Sequence, residues 1–287
     1  MEDKDNDQEA RFSELQRQIE ELKAIVAKKT ENEAREIDAI LEDKLSAILA
    51  QIKSEDSVLS RIPTFALACR PTERVEIRGI FGGYRQEVVK LFDEPPQLRE
   101  GGFDLATSGR SSINVGGDYR LMKIPGYQAR FVSREGVCGL LAPGTEDFIG
   151  WALSGTPGVI RFNPIALAEI TYVFCAFALK MLSFAEPPPH KLKFYLELNG
   201  YDAVGATVSL PKTRISPTRV LGSLKASEVG KTDIRICIES SLGDPPEIIG
   251  LKILEELYVR SGFETDTVPY ADSNKQKIDI EVILQGG

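Results

Sequence analysis

One stretch, Asn163 to Glu186 with the sequence NPIALAEITYVFCAFALKMLSFAE, is more apolar than any other part of the chain. Asn163 is a residue type that caps helix N-termini, and Pro164 suits the first helical position. The three prolines at 187–189 cannot continue a helix and disfavour helical geometry at the residue before them. Because apolar side chains fall on nearly every face between these signals, the stretch predicts a helix that is buried almost all round.

The length of the apolar run decides between a membrane span and a core helix. A span needs about 20 consecutive apolar residues, whereas here Glu169 and Lys180 enclose only the ten-residue run from Ile170 to Leu179. The sequence therefore predicts the core helix of a globular protein with no membrane partner. We expect the two charged side chains to reach solvent from positions near the helix ends.

Composition and cysteine spacing fit a cytoplasmic protein. The 287 residues allow one large domain or two modest ones with a sizeable core. The N-terminal Met-Glu-Asp-Lys-Asp has no apolar leader, so a secretory signal is not expected. Reduced, partly buried thiols are expected because the four cysteines are far apart in the chain. They are Cys69, Cys138, Cys175 and Cys237.

The N-terminal segment is acidic and helical in character. Residues 1–61 contain neither glycine nor proline, and residues 1–60 carry −7 of the net charge of −8. Residues 1–10 are expected to be a disordered acidic tail. Residues 11–54 predict a coiled-coil-like helical segment, formed as one long helix or as two with a stutter between Ala27 and Arg35.

Two apolar stripes follow this segment at helical spacing, and their phases differ. The first has β-branched residues at two a positions and leucine at d, which favours a parallel two-stranded coiled coil. It predicts these oligomerisation residues: Phe12, Leu15, Ile19, Leu22 and Val26. The second stripe comprises Ile37, Leu41, Leu45, Ile48 and Ile52. The first stripe favours self-association into a homo-oligomer, a dimer or higher. The alternative is an amphipathic helix packed on its own domain.

The rest of the chain, residues 58–287, predicts one α+β domain after a linker at 54–57. Alternating residues at 192–198 and 234–239 predict half-buried strands, and residues 278–284 predict the last strand. A second helix is predicted from Asp244-Pro245 to Gly262. The fold class is therefore α+β, a mainly antiparallel sheet with two helices on one face, preceded by the N-terminal coiled-coil-like helix.

The sequence lacks a catalytic or metal-binding constellation. The one histidine, His190, follows three prolines and fits a solvent-facing residue better than a catalytic base. No cysteine or histidine pair has zinc-site spacing. Gly230-Lys231-Thr232 lacks the glycine that a phosphate-binding loop needs five residues earlier, where Lys225 stands. We therefore expect no catalytic residue, no metal ligand and no cofactor.

One basic group has an arrangement that can serve nucleic acid. Its arginines alternate with the aromatic residues Tyr119, Tyr127 and Phe131, and aromatic rings beside cations suit base stacking and phosphate contact. These candidate nucleic-acid contacts are Arg110, Arg120, Arg130 and Arg134. The same pattern suits the outer face of a sheet with ion pairs, and the acidic pI of about 5.0 argues against a dedicated nucleic-acid binder.

Two stretches, PPQLREGGFDL at 95–105 and FAEPPPHKLKFYLEL at 184–198, carry a family resemblance. Together they resemble the region that follows the Schlafen–AlbA DNA-binding domain in some bacterial proteins, over about residues 60–260. The AlbA domain itself is absent, and a coiled-coil-like helix stands in its place. The resemblance implies an accessory or sensing module with a role in bacterial defence or nucleic-acid surveillance, and it assigns no functional residue.

These observations predict a cytoplasmic, non-enzymatic interaction or accessory protein. It would self-assemble through the N-terminal helix and recognise a protein partner or ligand with the α+β domain. The alternative is a nucleic-acid-associated accessory protein that uses the arginines and aromatics of 110–134. A third hypothesis, an unknown hydrolase or lyase using carboxylates, lacks any convergent set of groups in the sequence.

Overall fold

The computed structural model describes residues 2–83, 85–100, 102–103, 105, 112–150, 158–210, 223–225, 233–264 and 267–285, with the backbone alone for 2–14, 112–116, 207, 223–225 and 233. The helices are α1 Glu2–Glu55, α2 Gln86–Asp93, α3 Pro164–Leu182, α4 Pro246–Arg260 and α5 Ile280–Gln285. The strands are β1 Thr64–Pro71, β2 Glu76–Ile77, β3 Ser112–Gly116, β4 Tyr119–Ile124, β5 Gln128–Ser133, β6 Cys138–Pro143, β7 Val159–Arg161, β8 Ala185–Glu186, β9 Leu192–Asn199, β10 Thr207–Ser209, β11 Ser223–Lys225 and β12 Asp233–Ser240. The chain divides into two compact units, residues 1–40 and residues 41–287.

The first unit is helical throughout its described part, residues 2–40, with no break at the predicted stutter. Ion pairs one turn apart join Arg17 to Glu21 at 2.7 Å and Arg35 to Glu31 at 2.5 Å. Such pairs stabilise a helix by about 0.2–0.5 kcal/mol each. The helix begins at Glu2 and so includes most of the segment that composition predicted to be a disordered tail.

A seven-stranded sheet forms the centre of the second unit, in the order β12-β9-β1-β6-β5-β4-β3. Every pairing in it is antiparallel. Two small sheets, β11-β10-β7 and β2-β8, accompany it. The predicted α+β class with a mainly antiparallel sheet after a long N-terminal helix is confirmed.

Helix α3 is the core helix that its sequence predicts. Asn163 caps it by accepting a hydrogen bond from the Ile165 backbone N–H at 3.1 Å, and Pro164 occupies the first turn. The helix packs against α2, α4 and β1, and Phe174 at its centre is fully buried. Although α3 is long and apolar enough to cross a membrane, most of its surface is buried inside this fold.

The expectation that both charged residues of α3 reach solvent is wrong for Glu169. Lys180 is exposed, but the Glu169 side chain is fully buried and pairs with the Arg99 guanidinium at 3.1 Å. Gly102 lies directly over this carboxylate, because a Cβ added at that residue would collide with it. Glu169 could be buried only because a partner 70 residues earlier in the chain supplies the opposite charge.

The second face of the sheet is covered by the C-terminal part of α1, a placement that the sequence left open as an alternative. Along β1, Phe65, Leu67 and Cys69 belong to the core cluster around α3, so Ala66, Ala68 and Arg70 point to the opposite side. There they meet the second apolar stripe of α1, whose members Leu41, Leu45, Ile48 and Ile52 are all buried. For this stripe, the alternative of packing on its own domain is confirmed, and the compact α+β unit begins at Leu41.

The predicted last strand at 278–284 is wrong. Ile278 makes only an isolated bridge to Ala271, and residues 280–285 form helix α5. The Asp279 side chain accepts a hydrogen bond from the Val282 backbone N–H at 3.2 Å, which caps the helix. The alternating residues Ile278, Ile280, Val282 and Leu284 suggested a strand, but this local capping bond favours a helical turn. Helix α4 ends as predicted, with Gly262 in the left-handed region at φ +82°.

Candidate functional site

A network of charged and aromatic groups connects α1 to the sheet around the carboxylate of Glu42. The Glu42 Oε2 atom accepts hydrogen bonds from the Tyr195 hydroxyl at 2.6 Å and from the Arg70 Nη2 and Nε atoms at 2.7 and 3.0 Å. The Arg235 guanidinium forms an ion pair with the other oxygen of Glu42. The same guanidinium donates through Nε to Glu197 at 2.7 Å.

The register of three adjacent strands places these groups together. In the β9 strand, Tyr195 lies opposite Ala68 of β1 and Cys237 of β12, and Glu197 lies opposite Arg235. The two guanidiniums lie against the same tyrosine ring, with the carbon of Arg235 at 4.7 Å from its centroid and that of Arg70 at 5.7 Å. Such cation–π contacts stabilise by about 0.5–2 kcal/mol each.

The electrostatics of the network fix the proton on the tyrosine. Burial raises the pKa of Glu42, but hydrogen bonds from Tyr195 and Arg70 and the charges of Arg235 and Arg70 outweigh it and leave that pKa lowered. Burial, together with the hydrogen bond to Glu42, raises the pKa of Tyr195. At neutral pH Glu42 is therefore a carboxylate and Tyr195 a phenol, so the network suits holding α1 in place and does not suit proton transfer.

A cleft of about 320 Å³ adjoins this network between α1 and the sheet. It is lined by Ser46, Leu49, Ala50, Lys53, Thr64, Ala66, Leu141, Glu197, Asn199, Ile234 and Arg235. A larger cleft of about 560 Å³ lies beside residues Lys44, Ala47, Ile48, Gln51 and Glu55 of the same helix and against Gly117, Asp118, Tyr119 and Leu121. In this larger cleft Lys44 is already paired, with Glu135 at 2.7 Å and Asp118 at 3.5 Å.

The candidate nucleic-acid arginines do not come together on one open face in the described part of the chain. Arg130 is fully buried, donates to the carbonyls of Leu105 and Phe92, and lies against the rings of Phe92 and Phe177. Arg120 is also buried and pairs with Asp93 at 2.9 Å. Arg134 is exposed and stacks on Phe81. Arg110 lies outside the described residues.

The predicted oligomerisation residues of the first unit lie along one exposed line of helix. The exposed fractions are 57% for Leu15, 50% for Ile19, 61% for Leu22 and 62% for Val26. Ile25, next to Val26, is exposed to 64%. The side chain of Phe12 lies outside the described residues. We call these four described residues, Leu15, Ile19, Leu22 and Val26, the seam.

The remaining candidates from the sequence do not assemble a catalytic centre within the described residues. His190 is exposed, and its backbone N–H, not its ring, bonds the Glu73 carboxylate. Burial raises the pKa of the Cys69, Cys138 and Cys175 thiols, so these stay protonated. No group of three potential ligands is placed to hold a metal ion in this part of the chain. Gly230, Lys231 and Thr232 lie outside it.

Sequence reasoning missed the Glu42 network because its members are distant in the chain. Arg70, Tyr195 and Arg235 stand at strand positions that alternate with apolar residues and therefore resemble solvent-facing ones. The available signal was in β1 itself, where small and apolar residues occupy both faces, as in a strand covered on both sides. Comparisons with protein-family models, with curated proteins and with solved structures find no match.

Proposed function

We propose that this chain is a non-enzymatic interaction protein that self-assembles through the seam and uses its α+β unit to recognise a partner or ligand. The observation that carries the proposal is the exposure of four large apolar side chains in a row on a highly charged helix. A contiguous apolar line of this kind marks a surface that another molecule covers. The occupant we assign is a second copy of the same helix.

The identities of the seam residues support a parallel pair. Ile19 and Val26 stand at a positions, and Leu15 and Leu22 stand at d. β-Branched residues at a with leucine at d pack best in a parallel two-stranded coiled coil. The adjacent acidic residues Glu20 and Glu21 take the b and c positions, so the seam can close without burying a carboxylate.

The energetics allow this pairing to be reversible. Each buried side chain of this size contributes roughly 1.5–3 kcal/mol, so eight of them from two copies contribute roughly 12–24 kcal/mol if fully buried. Association itself costs roughly 4–15 kcal/mol. The net charge of −7 on residues 1–60 of each copy opposes pairing, and added salt screens that repulsion. We therefore expect association that tightens as salt rises.

Two matched substitutions test the seam. Leu22→Glu would place a carboxylate in the interface of both copies and should yield a monomer, whereas Ala24→Glu adds the same charge at an outer f position and should leave assembly unchanged. Light scattering at tens of micromolar protein measures both. Equal masses for the two variants would contradict a seam at these positions.

Nucleic-acid binding through residues 110–134 is not proposed, because Arg120 and Arg130 are committed to contacts inside the fold. The resemblance to the region that follows the Schlafen–AlbA domain stays a prediction. It supports an accessory role for the α+β unit without adding a residue to it.

A further inference from the structure

The smaller of the two clefts beside α1 has the construction of a site for a small molecule. Its volume of about 320 Å³ falls in the range of ligand pockets. The floor is apolar and includes Leu49, Ala66 and Leu141, all of them buried. Polar groups stand at its two ends, which is the usual arrangement for fixing the orientation of a largely apolar ligand.

One end of the cleft carries a positive charge that neutral groups surround. The Lys53 ammonium is half-buried and lies 3.4 Å from the Thr64 hydroxyl and 3.4 Å from the Asn199 side-chain oxygen. Both contacts are long for hydrogen bonds, and an ammonium has three donors. Among the described side chains, no carboxylate forms an ion pair with Lys53, so this end is suited to receive an anion.

At the other end of the cleft, the positive charge is already neutralised by carboxylates. Arg235 reaches the cleft, but its guanidinium is held by Glu42 and Glu197. It is also packed on the Tyr195 ring. These contacts neutralise its charge and fix its position, so Arg235 does not compete with Lys53 for an anionic ligand. The unsatisfied charge of the cleft is therefore localised at Lys53.

We infer that the cleft binds a small organic monocarboxylate. The carboxylate would replace the long contacts of Lys53 with a charge-assisted hydrogen bond, with Thr64 and Asn199 beside it, and the hydrocarbon part would lie on the apolar floor. A phosphate ion would leave the floor uncovered, and a neutral molecule would leave Lys53 without a counter-charge. The one carboxylate among the described residues that line this cleft, Glu197, is paired with Arg235. The larger cleft is less suited to the same ligand because two carboxylates line it, Glu55 and Asp118, and its Lys44 is already paired.

A small monocarboxylate would be the ligand that the α+β unit recognises, and this assignment rests on that part of the proposed function alone. It does not depend on the seam. The monomeric variant Leu22→Glu should therefore bind the ligand as the wild type does. Loss of assembly with ligand binding retained, or the reverse, would separate the failure of one proposal from the failure of the other.

Calorimetric titration of the full-length protein with hexanoate and benzoate tests the site, with 1-hexanol and inorganic phosphate as comparison probes. We expect saturable binding of at least one carboxylate, and affinity for 1-hexanol and for phosphate that is at least about tenfold weaker. No saturable binding of either carboxylate would overturn the inference. Equal binding of phosphate would overturn the assignment of an apolar carboxylate.

Helix α1 provides a matched pair of variants for the same titration. Ala50 and Ala47 are both exposed, and Ala50 lines the smaller cleft while Ala47 lines the larger one. Ala50→Phe should fill the smaller cleft and weaken carboxylate binding at least about tenfold, and Ala47→Phe should leave it unchanged. Lys53→Met should weaken it to the same degree as Ala50→Phe. Unchanged affinity in Ala50→Phe would show that the carboxylate binds elsewhere.

Discussion

At the scale of single residues, Asp56 connects the end of helix α1 to the turn between β4 and β5. The sequence predicted a linker at 54–57, but Asp56 is buried there. Its side chain accepts hydrogen bonds from the backbone N–H groups of Val58, Leu59 and Gly126 at 2.9–3.1 Å. Gly126 has φ +73° in the β4–β5 turn and packs against Val58, so a larger residue would strain this contact.

The Asp56→Ala variant should lose about 3 kcal/mol of unfolding free energy at neutral pH, because three backbone donors, of which the Leu59 N–H is buried, lose a charged acceptor. Burial raises the pKa of Asp56, but the backbone donors and Lys123 outweigh it and leave that pKa lowered. A lowered pKa contributes stability that is present above the unfolded-state pKa and lost as the pH falls through the folded-state value. The difference in unfolding free energy between the variant and the wild type should therefore become smaller in acid. Denaturant titrations at several pH values measure it, with the exposed Asp43→Ala as the control.

Glu169 should show the opposite dependence on pH. Burial raises its pKa more than Arg99 and the Phe103 backbone N–H lower it. For a carboxyl with a raised pKa, the folded state holds the proton more tightly, so stability falls as pH rises through this range. The Glu169→Gln variant, which cannot titrate, should therefore gain stability relative to the wild type between acid and neutral pH. A difference that stays constant with pH would contradict this account, and the exposed Glu87→Gln serves as the control.

At the scale of elements, helix α3 shows what local sequence can predict. Its N-terminal cap and its continuous apolar surface depend only on residues that are neighbours in the chain, and the predictions of both were correct. Its burial of Glu169 depended on Arg99, and no local pattern connects the two. The alternating apolar residues at 278–284 were misread for a related reason, since alternation does not reveal the capping bond of Asp279.

Phe174→Glu should be severely destabilising, by more than about 4 kcal/mol, because it places an unpaired charge in the centre of the core. Lys180→Glu changes charge on the same helix at an exposed position and should leave the melting temperature close to that of the wild type. Thermal unfolding by circular dichroism compares the two variants. A soluble Phe174→Glu protein with unchanged melting would contradict the placement of α3.

At the scale of the whole molecule, helix α1 has one buried and one exposed apolar stripe, a difference that the sequence could only partly predict. Its two apolar stripes differ in phase, and the sequence left both self-association and internal packing open. The structure shows the second stripe buried on the sheet from Leu41 onwards. The network around Glu42 could not be predicted, because it forms only when three strands and this helix come together.

A chain that begins at Ser57 should fail to fold as a stable domain. It would lack five buried residues, Leu41, Leu45, Ile48, Leu49 and Ile52, each contributing roughly 1.5–3 kcal/mol. That loss is comparable with the roughly 5–15 kcal/mol by which natural domains are stable. A chain that begins at Glu36 keeps these residues and should melt cooperatively near the full-length temperature. Calorimetry on both shortened chains measures the difference.

The mass of the full-length protein, measured beside that of the chain beginning at Glu36, tests the account most directly. Light scattering at tens of micromolar should give the full-length protein at least twice its 31.7 kDa chain mass. The shortened chain, which lacks the seam but keeps the α+β unit, should be a folded monomer. A monomeric full-length protein, or a shortened chain that assembles to the same degree, would contradict self-assembly through the seam.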